Sequence, residues 1–423
     1  MTRHYTGVED FDFARHVRPG TAFIMGQAAG EPTTLARTLV AQRASFAGSS
    51  IFLGAGFSDT FQPQHSDHLR FRGFGGIGTV RRLAGAGVLE VVPCHVSSIG
   101  PLIASGSIPC DVALLQVSRA NEQGEHSFGL IADYVRAAIA RASVVIAEVN
   151  EQVPWTPCEA PLHTDEIDVC LHTDVPLIEV APAAFGGAEQ RIAANLQDQI
   201  PDRATLQLGI GAIPEAIVAS LIDHRDLGVH SGMIGDSVAD LMQRGVVTNV
   251  YKGMDQGITV TGSLIGTSML YRFADRNPAV QLRPSSYTHS GSHLAQLQRL
   301  VSINSALEVD LTGQVNAEAI GSQVIGAVGG QVDFVRAAAQ SEEGLSVIAL
   351  SAVGKRGDSK IVATLSGPVT TARSDVDAVV TEHGVARLRG LSLRERMHAL
   401  IRIAAPEHRE TLLAAARQLW KEV

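Results

Sequence analysis

The sequence predicts an α/β protein with two successive domains, each built on a largely parallel sheet. With 423 residues, the chain is longer than a single hydrophobic core usually supports. Short runs of Val, Ile and Leu alternate with helical patterns, and such runs are typical of parallel strands buried on both faces. The alternation starts again after a Gly-Gly pair, so we predict an N-terminal domain over 1–186 and a C-terminal domain over 187–423.

The N-terminal half contains several apolar runs that we interpret as strands. Each ends near Gly, Ser, Asn or Pro, where functional loops usually lie. A helical pattern over 31–44 follows the first run, and Glu31 fits an acid in the first turn of that helix, with a catalytic role as the alternative. The runs are TAFIM (21–25), SSIFLGAG (49–56), GVLEVVP (87–93), CDVALLQVS (110–118), ASVVIAEVN (142–150) and VPLIEVA (175–181).

The C-terminal half repeats the pattern after an amphipathic helix that follows the Gly-Gly pair. Further helices are predicted after residue 211, through 270–274 and towards the end of the chain. The predicted strands lie within 206–208, 227–230, 246–253, 257–266, 279–284, 301–315, 345–351, 360–366 and 377–384.

Composition excludes several classes of function. A net charge of −9 without clustered Lys and Arg gives no support for nucleic-acid binding. The first twenty residues contain acids and no apolar segment of the secretory type, and no apolar run approaches the length of a membrane span. We therefore expect a cytoplasmic protein with no nucleic-acid or membrane partner. Its four cysteines form no CxxC pair, so we expect reduced core thiols and no metal site.

A glycine turn is the first candidate site. Gly209-Ile210-Gly211 follows the predicted strand at 206–208, and Pro214 suits the first turn of a helix. The N-terminus of such a helix can receive an anion or a developing oxyanion. The neighbouring strand ends in His230-Ser231-Gly232, and we expect these two strand ends to face one another.

Three further segments carry chemistry. Gly326–Phe334 (GAVGGQVDF) allows a ligand to approach backbone N–H groups closely. Taken alone, a structural turn explains it equally well, but together with the 209–211 turn it favours one wall of an acyl-transfer site. Lys355, near Arg356 and Lys360, lies in a basic loop suited to a phosphate, with solvated surface charge as the alternative. Glu382 and His383 end a strand, where they suit proton transfer or a simple ion pair.

Several common motifs are absent from the sequence. Pro214 stands at the third glycine position of the dinucleotide-binding fingerprint, which disfavours a nicotinamide enzyme. No GxxxxGK[ST], HExxH or GxSxG occurs, so P-loop, zinc-protease and serine-hydrolase functions are disfavoured too.

The motifs resemble those of the acetyl-CoA hydrolase and 4-hydroxybutyrate CoA-transferase family, the family I CoA transferases. The resemblance rests on GIGAIPEAI, NSALEVDLTGQVNAE, GAVGGQVDF, TTARSDVDAVVTEHGVARLRG and AAPEHRE, in this order along the chain. It implies two tandem CoA-transferase (NagB-like) domains with an interdomain active site, in a homodimer or larger homo-oligomer. It also implies an acyl-CoA and a carboxylate as substrates, with no tightly bound cofactor.

The resemblance assigns roles to individual residues. Gly209, Ile210 and Gly211 are similar to the flexible loop of the family, and Gly329 belongs to its second glycine motif. Gly330 falls on the residue whose N–H binds the oxyanion. Lys355 is similar to the basic residue near coenzyme A, and Glu382 matches a strand-end acid of the site.

The sequence departs from the family at its nucleophile. Family members carry a glutamate in a motif of the form H-[ST]-E-M, and here Gly232 occupies its place. We first expect transfer or hydrolysis of a short-chain acyl-CoA by another acid, Glu31 or Glu382. The alternatives are direct water attack, C–C bond hydrolysis or decarboxylation, with His230 or Glu382 as base and Gly330 polarising the carbonyl, or a noncatalytic CoA-binding protein.

Overall fold

A computed structural model describes residues 2–419 and divides into two compact units. The first unit contains the residues up to Ala181 together with Val260–Ser290 and Val324–Gly329. The second contains Pro182–Thr259, Gly291–Gln323 and the residues from Gly330 onward. The predicted domain boundary near residue 186 assumed contiguous domains, and this assignment stays a prediction.

The strands are short and mostly buried. In chain order they are β1 (Arg3–Tyr5), β2 (Ala22–Met25), β3 (Ser49–Leu53), β4 (Leu69–Gly73), β5 (Leu89–Val91), β6 (Val112–Val117), β7 (Glu125–His126), β8 (Val144–Asn150), β9 (Leu162–His163), β10 (Val169–Thr173), β11 (Thr205–Gln207), β12 (Gly228–Ser231), β13 (Thr259–Thr261), β14 (Val280–Leu282), β15 (Leu300–Ser305), β16 (Glu308–Asp310), β17 (Val315–Asn316), β18 (Ala319–Ile320), β19 (Gln323–Val324), β20 (Leu345–Ala349), β21 (Ile361–Val362), β22 (Ala378–Thr381) and β23 (Gly384–Arg387).

Helices connect these strands. The α-helices are α1 (Thr33–Gln42), α2 (Arg81–Gly85), α3 (Val96–Ala104), α4 (Val135–Arg141), α5 (Gly187–Gln197), α6 (Ala212–Ser220), α7 (Asp236–Gln243), α8 (Ser268–Ala274), α9 (Ser285–Thr288), α10 (Gly291–Leu294), α11 (Gln331–Gln340), α12 (Leu393–Ile403) and α13 (Arg409–Leu419). Short 3₁₀ helices lie at Val8–Asp10, Phe13–Arg15, Ala28–Gly30, Arg43–Phe46, Pro63–Asp67, Thr164–Glu166 and Pro406–His408. Within residues 2–419, no helix combines the length and apolar character needed to cross a membrane.

The first unit is built on a parallel sheet with the strand order β1-β10-β8-β6-β2-β3-β4-β5. Strands β2, β3 and β6 are buried along their whole length, as continuous apolar runs in a two-sided sheet require. The order of the strands reverses between β2 and β6. In an open α/β sheet, the carboxyl ends of the strands at such a point form the usual ligand crevice.

A distant carboxylate fixes the start of α1. Glu148, in β8, accepts hydrogen bonds from the backbone N–H groups of Thr34 and Leu35, at 2.9 and 3.1 Å. Pro32 precedes the helix and carries no N–H of its own, and Leu35 and Leu39 bury the inner face of the helix. Because a negative charge at a helix N-terminus is favourable, Glu148 ties this helix to the sheet.

The second unit contains the strand order β12-β11-β15-β20-β22-β23. All neighbours are parallel except β23, which pairs with β22 as an antiparallel hairpin. Aliphatic residues from β16, β20, β22 and α12 form a buried core on this sheet. The predicted α/β fold with largely parallel sheets is confirmed in both units.

Candidate functional site

The predicted glycine turn links β11 to α6 in the second unit. Gly211 precedes the helix with φ +123° and ψ 177°, a conformation that essentially only glycine adopts. A Cβ at this position would meet no atom within 4 Å, so backbone conformation rather than space requires the glycine. Pro214 is buried in the first turn of α6. The helix N-terminus therefore lies at the carboxyl end of a central strand, as an anion site requires.

Ser231 joins the end of β12 to this turn. Its hydroxyl donates to the carbonyl oxygen of Leu208 at 2.9 Å and accepts from the Leu208 amide at 3.3 Å. Ser231 is fully buried, and Gly232 follows it directly. The position at which the resemblance expects a glutamate is thus held beside the glycine turn, without a side chain.

Three polar side chains form a buried network across the adjacent ends of β11 and β15. Gln207 accepts through Oε1 from the Ser302 hydroxyl at 2.9 Å and from Asn304 Nδ2 at 3.0 Å. Asn304 also donates to Ser302 at 2.9 Å. Sequence reasoning missed these residues. The polar residues in the otherwise apolar strand VSINS could have indicated this network, because buried amides and hydroxyls require hydrogen-bond partners.

His230 lies inside β12. It is fully buried, and its ring centroid lies 6.5 Å from that of Phe334 in an edge-on arrangement. Its burial keeps this imidazole away from solvent. The predicted role of His230 as a general base stays a prediction.

Gly329 and Gly330 stand at the start of α11. Gly329 has φ +62°, in the left-handed region that favours glycine, and a Cβ there would meet no atom within 4 Å. Gly330 precedes the first residue of α11 with φ −92° and ψ 2°. Its carbonyl accepts from Phe334 N at 3.3 Å and begins the helix. The oxyanion-binding role of the Gly330 N–H stays a prediction.

Glu382 lies at the turn between β22 and β23. Its Oε2 accepts from the Ala352 amide at 2.8 Å, and its Oε1 lies 3.9 Å from His383 Nε2. The Glu382 side chain is 7% exposed and that of His383 29%. Burial lowers the pKa of Lys360, while the charges of Glu382 and Glu189 raise it. An acid, an imidazole and an amine therefore share one electrostatic environment.

Lys355 is exposed in the loop that precedes β21. In residues 2–419, its ammonium makes no hydrogen bond or ion pair. The lysine that interacts electrostatically with Glu382 is Lys360, a neighbour that sequence reasoning mentioned only as nearby charge.

Glu215 was missed as a candidate acid. It lies in the first turn of α6, one residue after Pro214, and accepts a hydrogen bond from the Ser237 hydroxyl at the start of α7. Burial raises the pKa of Glu215, with Asp236 adding to the increase and the Ser237 hydrogen bond opposing it. Its position directly after the glycine turn could have identified Glu215 as a candidate from the sequence.

Glu31 lies in the first unit, just before α1. It is 3% exposed and accepts from the Ser58 hydroxyl at 2.7 Å. Burial raises its pKa, and hydrogen bonds from Ser58 and Thr60 oppose the increase. It lines a narrow cavity at the carboxyl ends of β2 and β3 together with Gln27. A raised pKa favours proton donation by Glu31 over nucleophilic attack.

The motif NSALEVDLTGQVNAE includes a hairpin organised by two carboxylates. Asp310 accepts four hydrogen bonds from the backbone and side chains of Thr312 and Gln314, at 2.6–3.0 Å. Glu308 accepts from Asn316 Nδ2 at 2.9 Å and from the Ser366 hydroxyl at 2.9 Å. Both buried acids hold the turn through these hydrogen bonds.

The cysteines are free thiols. Cys110 and Cys170 are buried, while Cys94 and Cys158 are half-buried. Burial raises the pKa of all four thiols, that of Cys110 to about 12 and that of Cys94 to about 11, which disfavours the nucleophilic thiolate. Within residues 2–419, no group of three or more His, Cys, Asp and Glu side chains is arranged to hold a metal ion.

Two family models match most of the chain. The acetyl-CoA hydrolase/transferase N-terminal domain matches residues 4–179, and the C-terminal domain of the same name matches residues 266–416. The 4-hydroxybutyrate coenzyme A transferase of Clostridium kluyveri is 39% identical over 395 residues, covering 92% of each chain. Succinyl-CoA:cyclohexane-1-carboxylate CoA transferase of Geobacter metallireducens is 34% identical over 407 residues, covering 95% of this chain and 93% of the relative.

Solved structures match over the whole chain. RipA from Yersinia pestis superimposes with a TM-score of 0.91 at 31% identity, covering 99% of this chain and 97% of its own. The 4-hydroxybutyrate CoA-transferase from Porphyromonas gingivalis has a TM-score of 0.83 at 34% identity, with coverage of 99% and 98%. The predicted CoA-transferase fold is therefore confirmed.

Proposed function

The chain belongs to the acetyl-CoA hydrolase/transferase family, and from this premise we propose that it acts on a short-chain acyl-CoA without a nucleophile at position 232. Its relatives are CoA transferases and acetyl-CoA hydrolases, so acyl-CoA transfer or hydrolysis is the activity of the class. Because glycine cannot form an acyl anhydride, another acid acts on the thioester.

The link between Ser231 and Leu208 carries the proposal. It holds Gly232 beside the glycine turn through two hydrogen bonds of 2.9 and 3.3 Å. The scaffold around the missing carboxylate is therefore ordered, with Gly211 in a conformation that only glycine adopts. Because the backbone of the site is ordered and only one side chain is absent, we expect the site to bind the ester and to use a different acid.

We assign the acid to Glu382 rather than Glu31. The Glu382 carboxylate has one oxygen held by the Ala352 amide, and the other faces the His383 ring at 3.9 Å. Burial raises the pKa of Glu31, so its carboxyl holds a proton more often than an ordinary glutamate does and is a poorer nucleophile.

In this mechanism, a Glu382 oxygen attacks the thioester carbon and the C–S bond breaks, so coenzyme A leaves as a thiolate. The Gly330 N–H binds the carbonyl oxygen, which carries negative charge in the tetrahedral intermediate. Lys355 and the 209–211 turn bind coenzyme A. In hydrolysis, Lys360 provides the proton that the thiolate takes up, since burial lowers the pKa of its ammonium, and water cleaves the anhydride to the free acid and Glu382. In transfer, the thiolate instead attacks the Glu382 carbonyl of the anhydride, the acyl carboxylate leaves, and an acceptor carboxylate takes coenzyme A from the resulting glutamyl-CoA thioester by the reverse of these steps.

The test is turnover of acetyl-, propionyl- and butyryl-CoA with and without acetate or a dicarboxylate. Thiol release without an acceptor identifies hydrolysis, and acceptor-dependent exchange identifies transfer. Reduction with borohydride during turnover labels the acid that forms an anhydride or a thioester, and mass spectrometry of the peptides locates it. A label on Glu382 supports the assignment, while a label on Glu31 or Glu215 contradicts it.

A second candidate follows from Gly232. With no carboxylate there, Glu382 acts as the base for direct attack of water on the ester or for C–C bond hydrolysis of another acyl-CoA, and decarboxylation of an acyl-CoA is the remaining alternative. Turnover without any trapped acyl-enzyme distinguishes this route. Binding of coenzyme A at micromolar concentration without turnover of any ester instead identifies a noncatalytic CoA-binding protein.

A further inference from the structure

The first unit contains a cavity of about 650 Å³ at the carboxyl ends of its parallel strands. Ser118 follows β6, Glu151 follows β8 and Leu177 lies beyond the end of β10, and all three line the cavity. Helix α8 closes another side through Tyr271 and Arg272. The volume and the position at the strand ends are those of a small-molecule site in an open α/β sheet.

Hydrogen bonds connect the walls of this cavity. The Trp155 amide donates to the Asp275 carboxylate at 2.7 Å, and the Trp155 carbonyl accepts from Arg276 N at 2.8 Å. Tyr271 donates through its hydroxyl to the carbonyl of Ile178 at 2.7 Å. The loop that carries Trp155 is thus fixed to the end of α8. Trp155 is half-buried and lines the cavity.

Some charged side chains around the cavity have a partner, and others have none. Arg119 is paired with Glu151 at 3.0 Å, and the Asp275 carboxylate is engaged by the Trp155 amide. Arg272 lies in the last turn of α8 and Arg276 lies two residues beyond its end, and among residues 2–419 neither guanidinium makes an ion pair or hydrogen bond. Two unpaired guanidinium groups beside an indole favour a ligand that combines a phosphate with a flat ring.

We propose that this cavity binds an adenine nucleotide, with the base on Trp155 and the phosphates on Arg272 and Arg276. Stacking of a base on an aromatic side chain is worth about 1–3 kcal/mol, and guanidinium groups bind phosphate through paired hydrogen bonds. Glu179 lines the same cavity and accepts hydrogen bonds from the ribose hydroxyls. The same chemistry occurs in a free nucleotide and in the phosphorylated adenosine end of coenzyme A. The inference does not depend on the proposed function, because it concerns binding alone.

The experiment titrates ADP into the full chain and follows Trp155 fluorescence. The sequence contains two tryptophans, Trp155 and Trp420, so the Trp420→Phe variant leaves one reporter. Saturable quenching is expected, and calorimetry on the unaltered chain gives the same Kd. The Arg272→Ala/Arg276→Ala variant should weaken ADP binding about tenfold or more, which corresponds to ~1.4 kcal/mol. Arg141→Ala, an exposed arginine of the same unit outside the cavity, should bind ADP as the parent does.

Competition identifies the source of the nucleotide. If coenzyme A and 3′,5′-ADP displace ADP while pantetheine does not, the site receives the nucleotide end of coenzyme A. If coenzyme A leaves ADP bound, the site serves a free nucleotide. Absence of saturable quenching by ADP overturns the inference, as does unchanged ADP affinity in the double arginine variant. Thermal melting of each variant confirms that an altered Kd reflects a folded chain.

Discussion

Ser231 and Leu208 are joined by two hydrogen bonds, in which one hydroxyl donates to the Leu208 carbonyl and accepts from the Leu208 amide. The pair connects the neighbouring parallel strands β11 and β12 at their carboxyl ends, where the backbone leaves the sheet. Ser231 therefore constrains the backbone of the loops that follow both strands. The turn at 209–211 and the position of Gly232 therefore depend on one buried side chain.

Replacing Ser231 with alanine should loosen both loops. We expect Ser231→Ala to lose about 1–3 kcal/mol of unfolding free energy, since the buried Leu208 amide then lacks its partner. We also expect a lower kcat for acyl-CoA turnover. Chemical denaturation and steady-state kinetics measure the two effects. Ser220→Ala removes only a local bond to Ile217 and serves as the control; equal losses in both variants would contradict the role of Ser231.

Placing a carboxylate at position 232 should add a second nucleophile for the covalent route. We expect Gly232→Glu to raise acceptor-dependent CoA transfer and to yield a borohydride-trapped acyl-enzyme at position 232. Gly232→Gln is the matched control, because it adds the same volume without a nucleophilic carboxylate. A rise of equal size in the glutamine variant, or no rise in either, would refute the idea that this side chain alone is missing.

The parallel sheets were predictable because burial on both faces forces continuous aliphatic runs such as that of β6. The glycine turn was predictable because Gly211 has a conformation that leaves no other choice of residue. Hydrogen bonds between residues that are distant in the sequence were not predictable. Gln207 meets Ser302 and Asn304 only because β11 and β15 are neighbours in the sheet, although nearly a hundred residues separate them.

The acid at the end of β22 was predictable from the sequence, but the lysine that interacts with it was not. The sequence identified Glu382 and a basic loop, yet it favoured Lys355, the residue of the family motif. The lysine in the environment of Glu382 is Lys360, because the strand pairing of β21 and the fold of the loop decide which amine approaches the acid. Glu215 escaped notice because its partner Ser237 belongs to a different helix.

Removing the charge of Glu382 should affect catalysis far more than removing that of Glu189. We expect Glu382→Gln to lower kcat/KM roughly 10²–10⁴-fold, the usual loss for a group that transfers a proton or attacks. Both acids raise the pKa of Lys360, so either substitution lowers that pKa and moves the alkaline limb of the rate profile to lower pH. Glu189→Gln keeps an oxygen for the Gly186 amide and should retain near-normal kcat. Similar losses of kcat in the two variants would contradict a catalytic role for Glu382.

The hairpin centred on Asp310 should be a structural feature. Asp310→Ala leaves two backbone amides and two side-chain donors of Thr312 and Gln314 without their acceptor. We expect a loss of about 3 kcal/mol in unfolding free energy, measured by urea denaturation, because hydrogen bonds to a buried charge are strong. Asp358→Ala, in an exposed loop, is the control. An inactive Asp310→Ala protein of unchanged stability would instead place Asp310 in the reaction.

Asp133 should make the stability of the protein depend on pH near neutrality. It is 7% exposed, its Oδ2 accepts from Gln27, and its Oδ1 has no partner in residues 2–419. Burial raises the pKa of Asp133 from 3.8 to about 7, and the hydrogen bond from Gln27 only partly opposes this. Between these values the folded chain keeps a proton that the unfolded chain has released, so stability falls as the pH rises from 3.8 to about 7 and levels off at higher pH. The total loss is up to about 4 kcal/mol.

Asp133→Asn keeps the shape and an oxygen for Gln27 but cannot ionise. Its melting temperature should therefore stay nearly constant where that of the parent falls, with the two proteins closest at acidic pH and furthest apart above pH 7. Asp165→Asn removes a carboxylate that is 90% exposed and should follow the parent at every pH. Parallel melting curves for the parent and Asp133→Asn would mean that the folded chain carries Asp133 ionised. The Gln27 amide would then have to stabilise the charge more strongly than burial opposes it.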